Sequence, residues 1–440
     1  MGKLIMNITM LILGMGLIRP LSAAILKAED TGVVTRQEPL FYQYNLKGPL
    51  TLESEIIPAA GTIQAISAFW DFEGQVRLEA SATAGSSYIP IVNGQVLAEG
   101  FLPGNQLRLR INIGEDSLLK AIVLGYKDSS GADRLFYNQE LPGFKYHKIL
   151  RVEGGDRELF NYPVRIELGP LEEVKADYAD IRFCAADSQI PLSYYREGHF
   201  WVKVPQIPKE GINIHLYYSN PEAKDASKPQ DVFLFYDDFN AKTIDQTKWA
   251  LSCGFDGKPE LNNGQLKLDG CSLSSSVFQM KEGVLEFKAR SEGQSAIQAV
   301  VHGEKRKDSG YLQEEMVYSS SYPGAEHTIA VNDVAKLNAG VPIKPEEDYI
   351  YKAIVANNGI IFERYGRDYQ KEAEIRFLDT AHQNKGYIGL KADTSAFRNG
   401  SAYFDWIRVR PYAEVEPKVK VSDGKIIIND NFLYGGRRLK

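Results

Sequence analysis

The sequence predicts an all-β protein assembled from several β-sandwich domains, and three observations carry that expectation. Apolar and polar residues alternate with a period of two in run after run. Thirty-eight Gly and 20 Pro stand beside 24 Tyr and 20 Phe, the mixture of turn formers and strand formers that short strands joined by tight turns require. No long stretch holds the apolar stripe of an amphipathic helix.

At roughly 100–200 residues per domain, the 440 residues make two to four folding units. Fifty-one Lys and Arg against 57 Asp and Glu leave a formal charge of −6, spread along the chain. A nucleic-acid partner needs a basic face and is therefore not expected. Apolar residues at 44% and charged ones at 25% suit an ordinary globular protein.

The elements follow in order. Lys3 precedes an apolar run over residues 4–18, and the small residues of Leu21-Ser22-Ala23-Ala24 suit a signal peptidase. Residues 1–24 therefore read as a secretory signal peptide cleaved after Ala23 or Ala24. A retained anchor is the alternative, but it needs about 20 unbroken apolar residues. No Cys adjoins the cut and no later segment is apolar enough to span a membrane. The expected location is outside the cytoplasm: periplasm, cell surface or extracellular medium.

Residues 25–142 form an N-terminal β-sandwich of no assignable family, with alternation at 75–83 and 107–113. Residues 143–235 form a second unit, in which the strand 211–219 sets His215 opposite Ile214 as a surface residue. A third occupies 236–413, where the strand 284–290 alternates and Asn263-Gly264 and Asn358-Gly359 offer the positive φ of tight hairpins. Residues 414–440 read as a charged linker carrying Pro417 and a tail, loosely attached or docked on an envelope partner. Of three cysteines, Cys184 sits mid-strand as a buried thiol. Cys253 and Cys271 would close a short loop worth about 3 kcal/mol if bridged, and spacing alone leaves open whether their Cβ atoms meet.

Four separated motifs in the middle unit carry a resemblance. They are Asp180-Ile181-Arg182-Phe183, Trp201-Val202-Lys203-Val204-Pro205, Leu216-Tyr217-Tyr218-Ser219-Asn220-Pro221 and Phe233-Leu234-Phe235-Tyr236-Asp237-Asp238-Phe239. Their order over residues 144–235 resembles the bacterial and archaeal domain of unknown function 2341, which implies a secreted β-rich module and no particular activity. Asp237-Asp238-Phe239, Trp249 and Asn262-Asn263-Gly264, then Gly386-Tyr387-Ile388-Gly389-Leu390 and Phe404-Asp405-Trp406-Ile407, resemble the opening and closing strands of a concanavalin-like or laminin-G-like jelly roll over 236–411. That fold hosts lectins, carbohydrate-binding modules and glycoside hydrolases, so it does not decide function.

The chemistry of a hydrolase is not legible. A glycosidase needs two facing carboxylates, and Glu314-Glu315 lie on opposite faces of a strand. The six His form no ligand pair and no nucleophile elbow occurs. Strand parity places Asp405 with Ile407 and Val409, aimed into the sandwich, where a carboxylate needs donors or a cation. The jelly-roll resemblance implies a structural calcium ion there, held by Asp405, Asp238 and nearby carbonyls; the plainer alternative is a hydrogen-bond acceptor for backbone or Arg408. Tyr311, Tyr318 and Tyr322, among Ser319–Ser321, offer flat aromatic faces to a sugar, or simply rim a sheet. The expectation is a secreted, non-catalytic binding or adhesion protein for a glycan or surface component. Its alternatives are a polysaccharide hydrolase or lyase, and a subunit of a surface filament.

Overall fold

The computed structural model describes residues 40–54, 56–131, 143–185, 191–305, 312–331, 334–357, 359–367, 369–378, 384–393, 400–421 and 426–427. The segment expected to be a signal peptide lies outside them. Among the described residues the regular elements are strands save one short helical turn, Pro229–Val232, as the alternation predicts. No helix among the described residues is long and apolar enough to cross a membrane. The chain divides into two compact units: one takes in the chain up to Ser227 and again from Val415, the other is Lys228–Glu414.

The first unit begins with a sandwich of two sheets. One orders Leu40–Lys47, Leu118–Asp128, Ile63–Glu73 and Val96–Leu97; the other orders Leu50–Glu53, Gln106–Ile113, Val76–Ser81 and Ile89–Ile91. Alternate residues Val76, Leu78 and Ala80 pack with Leu107, Leu109 and Ile111 around a fully buried Trp70. The indole of Trp70 donates to Val76 O (3.1 Å), so its polar edge is satisfied in the core. A second pair of sheets follows. One orders Pro191–Leu192, Arg182–Ala185, Ile212–Tyr218 and Tyr146–Val152; the other orders Leu159–Ile166, His199–Ile207 and Tyr194–Glu197. Asn161 donates to Phe72 O (2.9 Å), Asn93 N–H donates to Gln206 Oε1 (3.0 Å), and Phe160 packs on the first core.

The tail corrects an expectation. Val419–Val421 and Ile426–Ile427 are not loose: both pair antiparallel with Tyr146–Val152 and extend that sheet. Glu153 N–H donates to Lys418 O (2.8 Å), and Lys420 pairs with Glu153. The strand Tyr146–Val152 has Val152 and Leu150 fully buried, and its open edge is a template that the tail satisfies. His215 is also not a surface residue. It is buried, its ring 4.5 Å from that of His147, and burial with that neighbour lowers its pKa to about 4. Cys184, opposite His215, is buried as expected, and burial pushes its thiol up to about 12. Tyr194 and Trp201 are buried too.

The second unit is a jelly roll. Its strands follow the order Val334–Ala339, Ala325–Val331, Leu312–Tyr322, Ala296–Lys305, Gly386–Asp393, Gln265–Met280, Gly400–Arg410, Gly283–Gly293, Tyr349–Ala356, Gly359–Tyr365 and Lys371–Leu378. Leu273, Phe287, Val301, Ile388, Phe404 and Ile407 belong to one continuous core. Asn263 (φ 51°) and Gly264 (φ 73°) make the primed turn expected between Trp249–Asn262 and Gln265–Met280. In that hairpin Cys253 lies directly opposite Cys271, and the two are joined by a disulfide.

Candidate ligand-binding face

The strand Gly400–Arg410 organises the candidate site. Ala402 and Phe404 face the core, and so do Ile407 and Val409, although the two pairs have opposite parity. The register explains this: Lys288 opposes Trp406 and the next residue, Ala289, opposes Phe404. Asp405 is the extra residue of a β-bulge. Parity counted along the sequence assumed an unbroken ladder and placed Asp405 inside. The bulge turns it out, one third exposed, where its Oδ2 lies 2.9 Å from Lys288 Nζ.

The expected calcium donors do not fit that ion. A hard divalent cation wants six to eight oxygens, whereas Asp405 is occupied by an ammonium that also holds Asp348 at 3.3 Å. Asp238 accepts the Asn240 N–H in a local turn (3.2 Å). Its neighbour Asp237 accepts from the indole of Trp249 (2.8 Å) and from Phe239 N–H (3.0 Å). Among the described residues no three His, Cys, Asp or Glu are grouped to hold a metal ion. Tyr311 lies outside the described residues, and so do the side chains of Tyr318 and Tyr322, whose backbone runs in Leu312–Tyr322.

What the outward side of the sheet does present is a polar strip. Tyr403 lies opposite Arg290 and Lys267, whose charges sit 4.4 Å and 5.4 Å from its ring centre. Its hydroxyl donates to Glu292 (3.2 Å), which pairs with Lys267 at 3.4 Å. Arg290 donates to Glu346 (3.3 Å) and Gln265 (3.4 Å). Burial would lower the pKa of Lys288, but Asp405 and Asp348 outweigh it and raise it.

Further along, the strip becomes a buried charge ladder. Glu286 receives Arg408 Nε at 2.7 Å and Arg410 at 3.3 Å, and opposes Lys352. Burial alone would raise its pKa, but Arg410, Arg408 and Lys352 overcome that and hold the carboxyl near 2. Arg408 stacks over Trp406 at 4.4 Å, so Trp406 is buried against a guanidinium rather than in the apolar core. Glu363 follows, bound by Lys371 (2.6 Å) and the Tyr365 hydroxyl (2.7 Å). Every carboxylate named on this face has a cation partner. Glu286 is lowered as described, and so is Glu374, which accepts from Lys371 (2.6 Å) and Arg376 (2.7 Å). A general acid needs the opposite shift.

A second constellation lies inside the jelly roll and was not foreseen. Ser321 shares a hydrogen bond with His327 Nδ1, and both are buried. Tyr351 and its cross-strand neighbour Arg364 are buried beside them, the His327 and Tyr351 rings 6.2 Å apart. Burial chiefly, and the Arg364 charge after it, depress the pKa of His327 to about 3.

With this geometry in view, comparison with known proteins adds one assignment. Residues 177–252 match the model of a domain of unknown function (DUF2341). That match begins before the strand Arg182–Ala185 and runs past the boundary drawn from sequence, into Trp249–Asn262. No curated protein matches the chain. Among solved structures it is similar to a prokaryotic β-1,3-1,4-glucanase (lichenase) from a mouse hindgut metagenome, at 13% identity and a TM-score of 0.31, over 40% of this chain and 99% of that one. It is similar to a Bacillus licheniformis β-glucanase at 14% identity and a TM-score of 0.31, over 40% and 98%. A carbohydrate binding module from Bacillus subtilis shares 14% identity and a TM-score of 0.29, over 37% and 96%. No activity is taken from these likenesses.

Proposed function

We propose that the protein is an exported, non-catalytic binding protein that holds a neutral, hydroxyl-rich glycan along the strip around Tyr403. One observation carries the reading: donors and acceptors alternate across neighbouring strands in cation–carboxylate pairs. Lys267, Tyr403 and Arg290 stand side by side on three neighbouring strands about 4.8 Å apart, with Glu292 two residues along from Arg290 and Glu346 reaching Arg290 from the turn beyond. A hydroxylated chain offers a donor and an acceptor at each position, and such rows can meet both. Glu286 and Glu374 are held ionised by their cations, the reverse of what a general acid needs, which weighs against the hydrolase alternative. Because the charges on the strip are balanced, an anionic polymer finds no surplus of cations there. A disulfide persists in oxidising compartments, and the bridge between Cys253 and Cys271 supports export.

The test is a glycan array probed with the mature chain and with Tyr403→Ala and Arg290→Met, paired with a reducing-end assay. Binding that the two substitutions abolish, without released sugar, is the expected outcome. Sugar release by the wild type would reject the reading.

A further inference from the structure

The buried constellation has an imbalance of hydrogen-bonding groups. Ser321 can donate its hydroxyl to His327 Nδ1, which puts the ring proton on Nε2 as a second donor. Arg364 spends Nη2 on Val341 O and on Glu372 Oε2 (3.2 Å). Its Nε and Nη1, together with His327 Nε2, are buried and meet no acceptor. Burial holds the Tyr351 hydroxyl protonated, within reach of the Ser321 oxygen. Arg364 is fully buried and His327 nearly so.

Leaving so many N–H groups dry and unpaired is costly, and a native core does not retain that without a partner. The partner has to be a species rich in lone pairs and free of hydrogens. A water molecule can donate to the Tyr351 and Ser321 hydroxyl oxygens, but it carries no charge to set against buried Arg364. A cation is excluded by the Arg364 charge. We propose that the interior of the jelly roll encloses a halide-sized inorganic anion, held by Arg364 Nε and Nη1 and by His327 Nε2, with Tyr351 at its rim. The site is separate from the outward strip and does not depend on glycan binding. Its charge offsets Arg364, whose carboxylate partner Glu372 is itself about one third exposed to solvent.

Crystals of the mature chain grown in sodium bromide provide the direct test. The expected result is one bromide anomalous peak among Arg364, His327 and Tyr351, lost in Arg364→Lys, which keeps the charge but not the planar fork. In solution, replacing chloride with gluconate at constant ionic strength should lower the jelly-roll melting midpoint by roughly 3 °C, the effect of an anion present at about ten times its Kd. Arg364→Lys should erase that difference. No bromide peak, or a wild-type midpoint indifferent to chloride, overturns the proposal and makes the cluster a hydrated one.

Discussion

Glu286→Gln is the substitution whose effect the structure fixes most closely. The carboxylate is buried against Arg408 and Arg410, and its pKa is held near 2 against an ordinary 4.5. That difference is worth about 3 kcal/mol to the folded state at neutral pH. Removing one partner of a buried pair costs roughly 3–5 kcal/mol by independent experience, so the two figures agree. At about 2–4 °C per kcal/mol for a unit of this size, the jelly-roll midpoint should fall by roughly 6–12 °C at pH 7, read by differential scanning calorimetry. The acid limb is the second readout. The unfolded chain takes up this proton near pH 4.5 and the folded one only near 2, so wild-type stability is complete above 4.5 and declines as the pH drops towards 2. Glu286→Gln lacks that part of the decline. Lys288→Gln, which breaks a pair with Asp405 that is about one third exposed, is the control and should cost less than about 1 kcal/mol. Parallel acid curves, with Glu286→Gln melting within about 2 °C of wild type, would refute the reasoning.

Three further outcomes are expected. Cys253→Ser with Cys271→Ser removes a bridge that spans 18 residues and should lower the jelly-roll midpoint by an amount near 3 kcal/mol; an unchanged midpoint would show that the loop is ordered without it. His215 is kept neutral down to about pH 4 although a free imidazole charges near 6.5, so the first unit should lose stability as the pH falls from 6.5 towards 4, and His215→Phe should flatten that slope in circular dichroism melts. Ending the chain at Glu414 strips Tyr146–Val152 of the two tail strands on one edge, and should lower the melting of the first unit while leaving the jelly roll unaffected; equal melting of both forms would mean the tail adds nothing.

Much of the fold could be read before any coordinates were known. Alternation at Leu107, Leu109 and Ile111 marked a strand because each residue faces the side its parity dictates. Asn263-Gly264 marked its hairpin because that turn needs positive φ, which the pair tolerates. What failed did so where a strand's behaviour is set elsewhere. One inserted residue inverts parity, so Asp405 was assigned to the wrong face although its neighbours Ile407 and Val409 were placed correctly. His215 looked exposed because its own strand does not reveal that the His147 ring covers it. The members of the internal cluster, Ser321, His327, Tyr351 and Arg364, sit on four different strands, and no local window contains them together. Only His327 gave a clue: parity within Ala325–Val331 sets it beside Ile329, facing inward.

Because Val419–Val421 rejoins a sheet that began at Tyr146, the jelly roll is an insertion within the fold of the first unit rather than a domain appended after it. A chain emerging from its N-terminus first must therefore leave the Tyr146–Val152 edge bare until the whole insertion, Lys228–Glu414, has been delivered. Completion of the earlier module thus reports that the later one has already passed through, and any premature stop inside the insertion yields an unclosed, adhesive sheet.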